Sequence, residues 1–203
     1  MTTNLSQFIS DLSLQSIAEE RKKVLDHLIE ECRAHLQKHQ PLHLNFICTH
    51  NSRRSQMAQI WAWVSSVHYG LPSIRCFSGG TEVTQFNLRA VQSLQNCGLL
   101  IDTASERENP QYEVRMEKGG QALLCFSKHF DHRMIPKPYI AIMVCSHAEQ
   151  NCPFIPDALA RYALPFEDPG QSDGTGKEEE TYRASCREIA REMLYFVKGL
   201  LSK

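Results

Sequence analysis

Leu44-Asn45-Phe46-Ile47-Cys48-Thr49-His50-Asn51-Ser52-Arg53-Arg54-Ser55 is the stretch from which the fold of this chain is read. The apolar run Leu42 to Ile47 has the length and content of a buried strand, and Gln56 to Val67 reads as a helix. Cys48 therefore falls at the carboxyl end of a strand, with a polar loop and then a helix after it. Backbone N–H groups across Thr49, His50, Asn51, Ser52 and Arg53 can turn inward and form an anion cradle. Arg54 follows Cys48 with five residues between them, the right reach for a loop that wraps once around a tetrahedral oxyanion. Its guanidinium would then grip two oxygens side by side. The same cradle is expected to lower the Cys48 thiol pKa and make it a nucleophile, with Ser55 donating to the sulfur. The plain alternative is a buried strand-end cysteine beside a surface arginine. Among the eight cysteines, Cys48 alone has an arginine at this spacing.

A length of 203 residues and a net charge of −1 suit an ordinary globular protein. Nothing basic enough for nucleic acid is present, and no apolar run is long enough to span a bilayer. Met1-Thr2-Thr3-Asn4 lacks the basic and apolar regions of a signal peptide, so a cytoplasmic location is expected. The cysteines are then mostly free thiols, and any disulfide is expected to be transient and catalytic.

Residues 5–39 read as helix, with Ile17, Val24, Leu25, Leu28, Ile29, Cys32 and Leu36 on one face. Pro41 marks a boundary between an N-terminal helical extension, 1–40, and a catalytic domain, 41–203. Ser73 to Ser78 is a second strand, closed by Gly79-Gly80. Phe86 to Asn96 is a helix with Leu88, Val91 and Leu94 inward and Gly98 at its C-terminal cap. Asp102 to Gly120 is polar and reads as loop and short helix. Ala122–Phe126 and Pro138–Cys145 are further apolar runs, and Glu178–Leu201 is an amphipathic helix. Strands alternating with helices imply an α/β fold with a parallel sheet and helices on both faces. Its site is expected beyond the carboxyl ends of the strands, where Cys48 falls.

Cys145 ends one apolar run, and Cys152-Pro153 follows after six residues. Thiols joined by so short a polar loop can meet if the loop bends. A redox relay, passive core cysteines and a metal site with His147 are the alternatives. The spacing is too wide for one zinc knuckle, and no second pair is placed to complete four ligands. Asp168, in Phe166-Glu167-Asp168-Pro169-Gly170, is either an acidic turn residue or a proton donor on a loop that swings over the cradle. His129 and His132 read as surface residues. Cys32, Cys76, Cys97, Cys125 and Cys186 read as core fillers.

Cys48-Thr49-His50-Asn51-Ser52-Arg53-Arg54-Ser55 resembles the phosphate-binding loop of the low-molecular-weight protein tyrosine phosphatase superfamily. Gln56-Met57-Ala58, where the phosphatases usually begin with Pro, looks more like its thioredoxin-coupled arsenate reductases. The resemblance spans roughly residues 43 to 198. It implies a four-stranded parallel sheet. It also implies Asp168 as general acid, with Gly170 where phosphotyrosine enzymes usually carry Tyr. Cys145 and Cys152-Pro153 match the resolving pair of the reductases. Three positions depart from the reductase pattern. His50 stands where the loop normally has Gly, a backbone position costly for most residues. Arg53 stands where Cys is frequent and is expected to add positive charge beside the anion. Gln59 stands where the potassium-binding reductases have Glu. The stretch from Asp102 to Lys137 is longer than compact members need, as for a rim or lid.

The resemblance implies reduction of arsenate to arsenite by a Cys48/Cys145/Cys152 relay, regenerated by a thioredoxin-type reductant. Cofactor and metal are expected to be absent. The rival is a protein tyrosine phosphatase or small phosphomonoesterase with a phosphocysteine intermediate on Cys48. A third reading is a non-enzymatic anion or redox sensor working through its N-terminal helices.

Overall fold

The computed structural model describes residues 4–38, 41–105, 107–151 and 155–201. It opens with two helices where one is expected, α1 (Leu5–Ser10) and α2 (Glu19–Lys38), parted by a 3-10 turn at Leu14–Ser16. Residue 39 lies outside the described residues. Short hydroxyl side chains bond back to the main chain here and compete with the helix. Ser10 Oγ donates to the Gln7 carbonyl at 2.9 Å, and Ser16 Oγ to that of Ser13 at 2.7 Å. The bend lets both Leu12 and Ile17 be buried. α2 turns Leu25, Leu28, Ile29 and Cys32 inward, while Val24, expected on that face, is 40% exposed.

β1 (Leu42–Cys48) leads through the anion loop into α3 (Arg54–His68), and β2 (Ile74–Gly80) returns beside β1. α4 (Leu88–Asn96) is capped by the Asn87 side-chain Oδ1, which accepts from the Arg89 and Ala90 N–H groups, and ends at Gly98, whose φ of 96° suits the expected glycine cap. Leu88, expected inward, is 69% exposed; it is the first residue after the cap, and Phe86 just before the cap is buried instead.

The polar stretch after α4 is sheet, not loop and helix. β3 (Leu100–Ser105), β4 (Gln111–Arg115) and β5 (Leu123–Cys125) form a three-stranded antiparallel sheet. Tyr112 and Val114 are buried while Gln111, Glu113 and Arg115 between them are half-buried. This alternation is that of a strand, but charged residues on its outer face disguise it. The 122–126 run thus belongs to this second sheet.

β6 (Tyr139–Met143), the short helix α5 (Ser146–Asn151), β7 (Ala158–Ala163) and α6 (Glu178–Gly199) complete the chain. The main sheet is four-stranded and parallel, in the order β2-β1-β6-β7, and is flanked by helices. β7 has no reading from the sequence. Ala158-Leu159-Ala160-Arg161-Tyr162-Ala163 is a half-buried edge strand without the β-branched residues that mark strands. From β1 the chain passes to β2 on one side and comes back to β6 on the other. The crevice beyond β1 and β6 is therefore the topological switch point.

The helical extension shares the core of the rest. The Phe8 ring stacks on Trp61 of α3 at 5.2 Å, and both are buried. Arg21 Nε donates to both carboxylate oxygens of buried Glu192 on α6, at 2.9 and 3.0 Å. Phe8→Ala is expected to cost about 3–5 kcal/mol, as for other buried aromatics. Urea denaturation should show that loss in a single cooperative transition. A surface-like effect under about 1 kcal/mol would mean that α1 does not belong to the core.

Candidate active site

The loop between β1 and α3 holds its shape through one side chain. Asn51 sits at φ 47° and is fully buried. The costly left-handed conformation thus falls on Asn51, which tolerates it well, and not on His50 as expected. Asn51 Nδ2 donates to Ser55 Oγ at 2.8 Å, while its Oδ1 accepts from the Lys128 N–H at 2.9 Å and from Gln56 Nε2 at 3.2 Å. Gln56 Nε2 also reaches the carbonyls of Asn51 and Phe126, at 3.0 and 2.9 Å. Ser127 Oγ donates to the His50 carbonyl at 2.9 Å. So residues 126–128, within the 102–137 stretch, buttress the loop. Gly80 makes this close approach feasible, since a Cβ there would lie 2.6 Å from the Thr49 carbonyl and 2.7 Å from the Asn51 nitrogen.

Among the described residues, the N–H groups of residues 49–53 donate to no backbone carbonyl. They remain as donors for an anion, and Cys48 lies at the last position of β1. Its Sγ is 3.0 Å from Ser55 Oγ. Because that oxygen already accepts from Asn51, its own proton is free to point at the sulfur. Burial pushes the Cys48 thiol above its ordinary value. The Ser55 hydroxyl pulls it down, Cys145 raises it further, and the Ser55 N–H and Arg54 pull it down again. The net direction is up, against the lowering expected from the cradle: here burial of the sulfur outweighs the donors that favour its charged form.

Arg54 Nη2 is 2.7 Å from an Asp168 carboxylate oxygen, and its Nη1 donates to the Phe166 carbonyl at 3.2 Å. The other Asp168 oxygen accepts from the Gly170 N–H at 3.0 Å, opening the short turn Pro169–Ser172. The guanidinium of Arg21 lies over the Phe166 ring at 4.9 Å, so the extension reaches the base of this loop.

Arg53 points elsewhere than expected. Its Nε donates to Tyr182 Oη at 2.7 Å and its Nη2 pairs with Asp173 at 2.8 Å; Tyr182 in turn donates to Asp173 at 2.8 Å. Gly170 presses on the Arg53 guanidinium so closely that a Cβ would come within 2.8 Å of Cζ. Arg53 is therefore a brace for the Asp168 loop, and its charge is matched by Asp173. The stretch after Gly170 is held by this brace. Neither Asp173 nor Tyr182 carries a signal in the sequence, because their partner lies 120 or more residues away.

Cys145 follows the end of β6, buried, with Sγ 3.7 Å from Thr49 Oγ1. It also accepts the Ala148 N–H at 3.3 Å. His147 Nδ1 is 3.1 Å from the same Thr49 hydroxyl. Cys48 and Cys145 thus flank the crevice from neighbouring strands. Cys152 lies outside the described residues. At the rim, His50 Nε2 is 3.3 Å from Glu82, and Ser52 Oγ donates to the Gln85 carbonyl at 2.7 Å. Gln59 is buried and spends its amide on the Cys76 carbonyl and Ser78 Oγ. Among the described residues no group of three or more metal-binding side chains occurs, and no helix is long and apolar enough to cross a membrane.

The solved structure of a YwlE mutant from Bacillus subtilis matches with a TM-score of 0.52 at 15% identity, over 79% of this chain and 99% of that one. An arsenate reductase of Halalkalibacterium halodurans is 26% identical over 154 residues, 75% of this chain and 93% of the relative. One of Bacillus licheniformis is 27% identical over 149 residues, 73% of this chain and 89% of the relative. No family model matches the chain. The chain thus shares its fold with the YwlE structure and is similar in sequence, over about three quarters of its length, to arsenate reductases.

The Arg54–Asp168 pair bears on the sulfur. Replacing Asp168 by Asn removes the carboxylate that offsets the guanidinium, so the positive charge acts on the thiolate unopposed and the thiol pKa falls. The pH midpoint of Cys48 alkylation by iodoacetamide, read by peptide mass spectrometry, is expected to move down in Asp168→Asn. An unchanged or higher midpoint would break this coupling.

Proposed function

We propose that the chain is a thiol-dependent arsenate reductase. The observation that carries the reading is Cys145: a second thiol, buried against the anion loop through Thr49, just past the end of the strand next to that of Cys48. Hydrolysis of a phosphate ester has no use for it. The arsenate reductases among the relatives give independent support.

Arsenate enters the loop, takes the N–H groups of residues 49–53 and displaces Asp168 from Arg54. Asp168, freed as a carboxylate, takes the Cys48 thiol proton as the sulfur attacks arsenic, and the departing hydroxide leaves as water with that proton. Cys145 then attacks the Cys48 sulfur. The sulfur–arsenic bond breaks, its electron pair stays on arsenic, and arsenite departs from a Cys48–Cys145 disulfide. Cys152 attacks Cys145 and frees Cys48, which keeps its hydrogen bond to Ser55. A thioredoxin-type dithiol reduces the resulting Cys145–Cys152 bond. No metal or cofactor enters these steps. Phosphate-ester hydrolysis is the second reading, since Cys48, Arg54 and Asp168 serve a phosphoryl group equally well and similar solved structures include phosphatases.

Arsenate-dependent oxidation of thioredoxin and hydrolysis of an aryl phosphate separate the two. Cys48→Ser is expected to lose both activities by about a thousandfold. Cys145→Ser should lose multiple-turnover reduction and keep hydrolysis. Reduction that survives in Cys145→Ser would end the relay; brisk hydrolysis with no thioredoxin oxidation in the wild type would make the protein a phosphatase.

A further inference from the structure

Two of the cysteines read as core fillers have a different setting. Cys97 is the C-terminal cap of α4 and Cys186 lies on α6, and their Sγ atoms are 3.7 Å apart. Either sulfur can donate across that contact. The pair is oriented by further partners. Trp61 Nε1–H donates to Cys186 Sγ at 3.3 Å, and Cys97 Sγ donates to the Ser93 carbonyl at 3.2 Å. The hydrogen bond with Cys186, with burial second, holds the Cys97 thiol up. Burial pushes Cys186 up as well, but its bonds from Cys97 and Trp61 outweigh this and the net direction is down. The Arg187 charge draws both downward. The two thiols are thus held as one interacting pair, the Cys97 thiol up and the Cys186 thiol down.

The pair also has an approach. A cleft of about 490 Å³, lined by Phe8, Asp11, Asn96, Cys97, Arg183 and Arg187, leads to Cys97. Cys186 is fully buried behind it. Cys32, Cys76 and Cys125 are as deeply buried, and burial alone dominates in holding their thiols up.

We propose that Cys97 and Cys186 form a second redox-active dithiol, separate from the chemistry at Cys48, that hydroperoxides oxidise to a disulfide. The Cys97 sulfur attacks the terminal oxygen of the hydroperoxide. The O–O bond breaks, the Cys97 thiol proton ends on the departing alcohol or water, and Cys97 is left as a sulfenic acid. The Cys186 sulfur attacks the Cys97 sulfur, and hydroxide leaves as water with the Cys186 proton. Two thiols lose two electrons and two protons, and the peroxide bond takes them up. The product staples the end of α4 to α6 and closes a long loop of chain, so the oxidised protein melts at a higher temperature.

The test uses the full chain carrying Cys48→Ser, Cys145→Ser and Cys152→Ser, which removes the relay thiols and makes the result independent of the proposed reductase reading. The protein is exposed to hydrogen peroxide at a dose that fully oxidises glutathione, then denatured, alkylated with N-ethylmaleimide and digested. The expected product is a peptide pair linking Cys97 to Cys186, two protons lighter and cleaved by dithiothreitol, with Cys32, Cys76 and Cys125 alkylated. Adding Cys186→Ser should leave Cys97 as a sulfenic acid that dimedone traps. Adding Cys97→Ser should leave Cys186 a free thiol. Recovery of both residues as alkylated thiols from the triple variant overturns the proposal. So does Cys97 ending as a sulfinic acid without a link to Cys186.

Discussion

The anion loop keeps its curvature because the Asn51 side chain is bonded on three sides, to Ser55 at the start of α3, to Gln56 one residue on, and to the main chain at Lys128. Each bond fixes a different part of the site. The first turns the Ser55 proton toward the Cys48 sulfur. The second locks the loop onto α3. The third ties it to a segment that enters from the antiparallel sheet, so the second sheet is part of the support and not an ornament at the edge. With its side chain fully engaged, Asn51 can hold a backbone conformation that most residues reach only at a cost.

Arg53 and Arg54 stand next to each other and do opposite work. Arg54 begins α3 and faces Asp168 across the mouth of the loop. Arg53, in the non-helical position before it, turns toward Tyr182 and Asp173 and bears on Gly170. Two charges side by side in sequence therefore grip the two ends of one short loop. The position of Asp168 is set by both, and through Phe166 it is tied to Arg21 in the extension.

The sequence alone carries the main architecture: the strand before Cys48, the helix after it and the long terminal helix are read from local periodicity. What escapes it depends on partners distant in the chain. Arg53 reads as an anion ligand because its true partners lie far along the chain, at Asp173 and Tyr182. β4 reads as loop because its outer face carries ion pairs such as Arg115 with Glu113. β7 lacks β-branched residues and pairs as a strand along the edge that β6 offers. The direction of the Cys48 pKa depends on burial, which a spacing pattern does not report. Cys152 and its approach to Cys145 stay with the sequence reading.

In the Arg54–Asp168 pair the protein carries its own competitor for the guanidinium, tethered by a short stretch of chain and so present at a high effective concentration. An incoming monoanion offers Arg54 no more charge than the carboxylate it must evict, and the exchange gains nothing. A dianion brings a second charge, which the N–H groups of residues 49–53 can meet. Under the proposed function the loop is thereby biased toward doubly charged ions over chloride, nitrate or acetate, and that discrimination comes from an internal rival and not from the shape of the cradle.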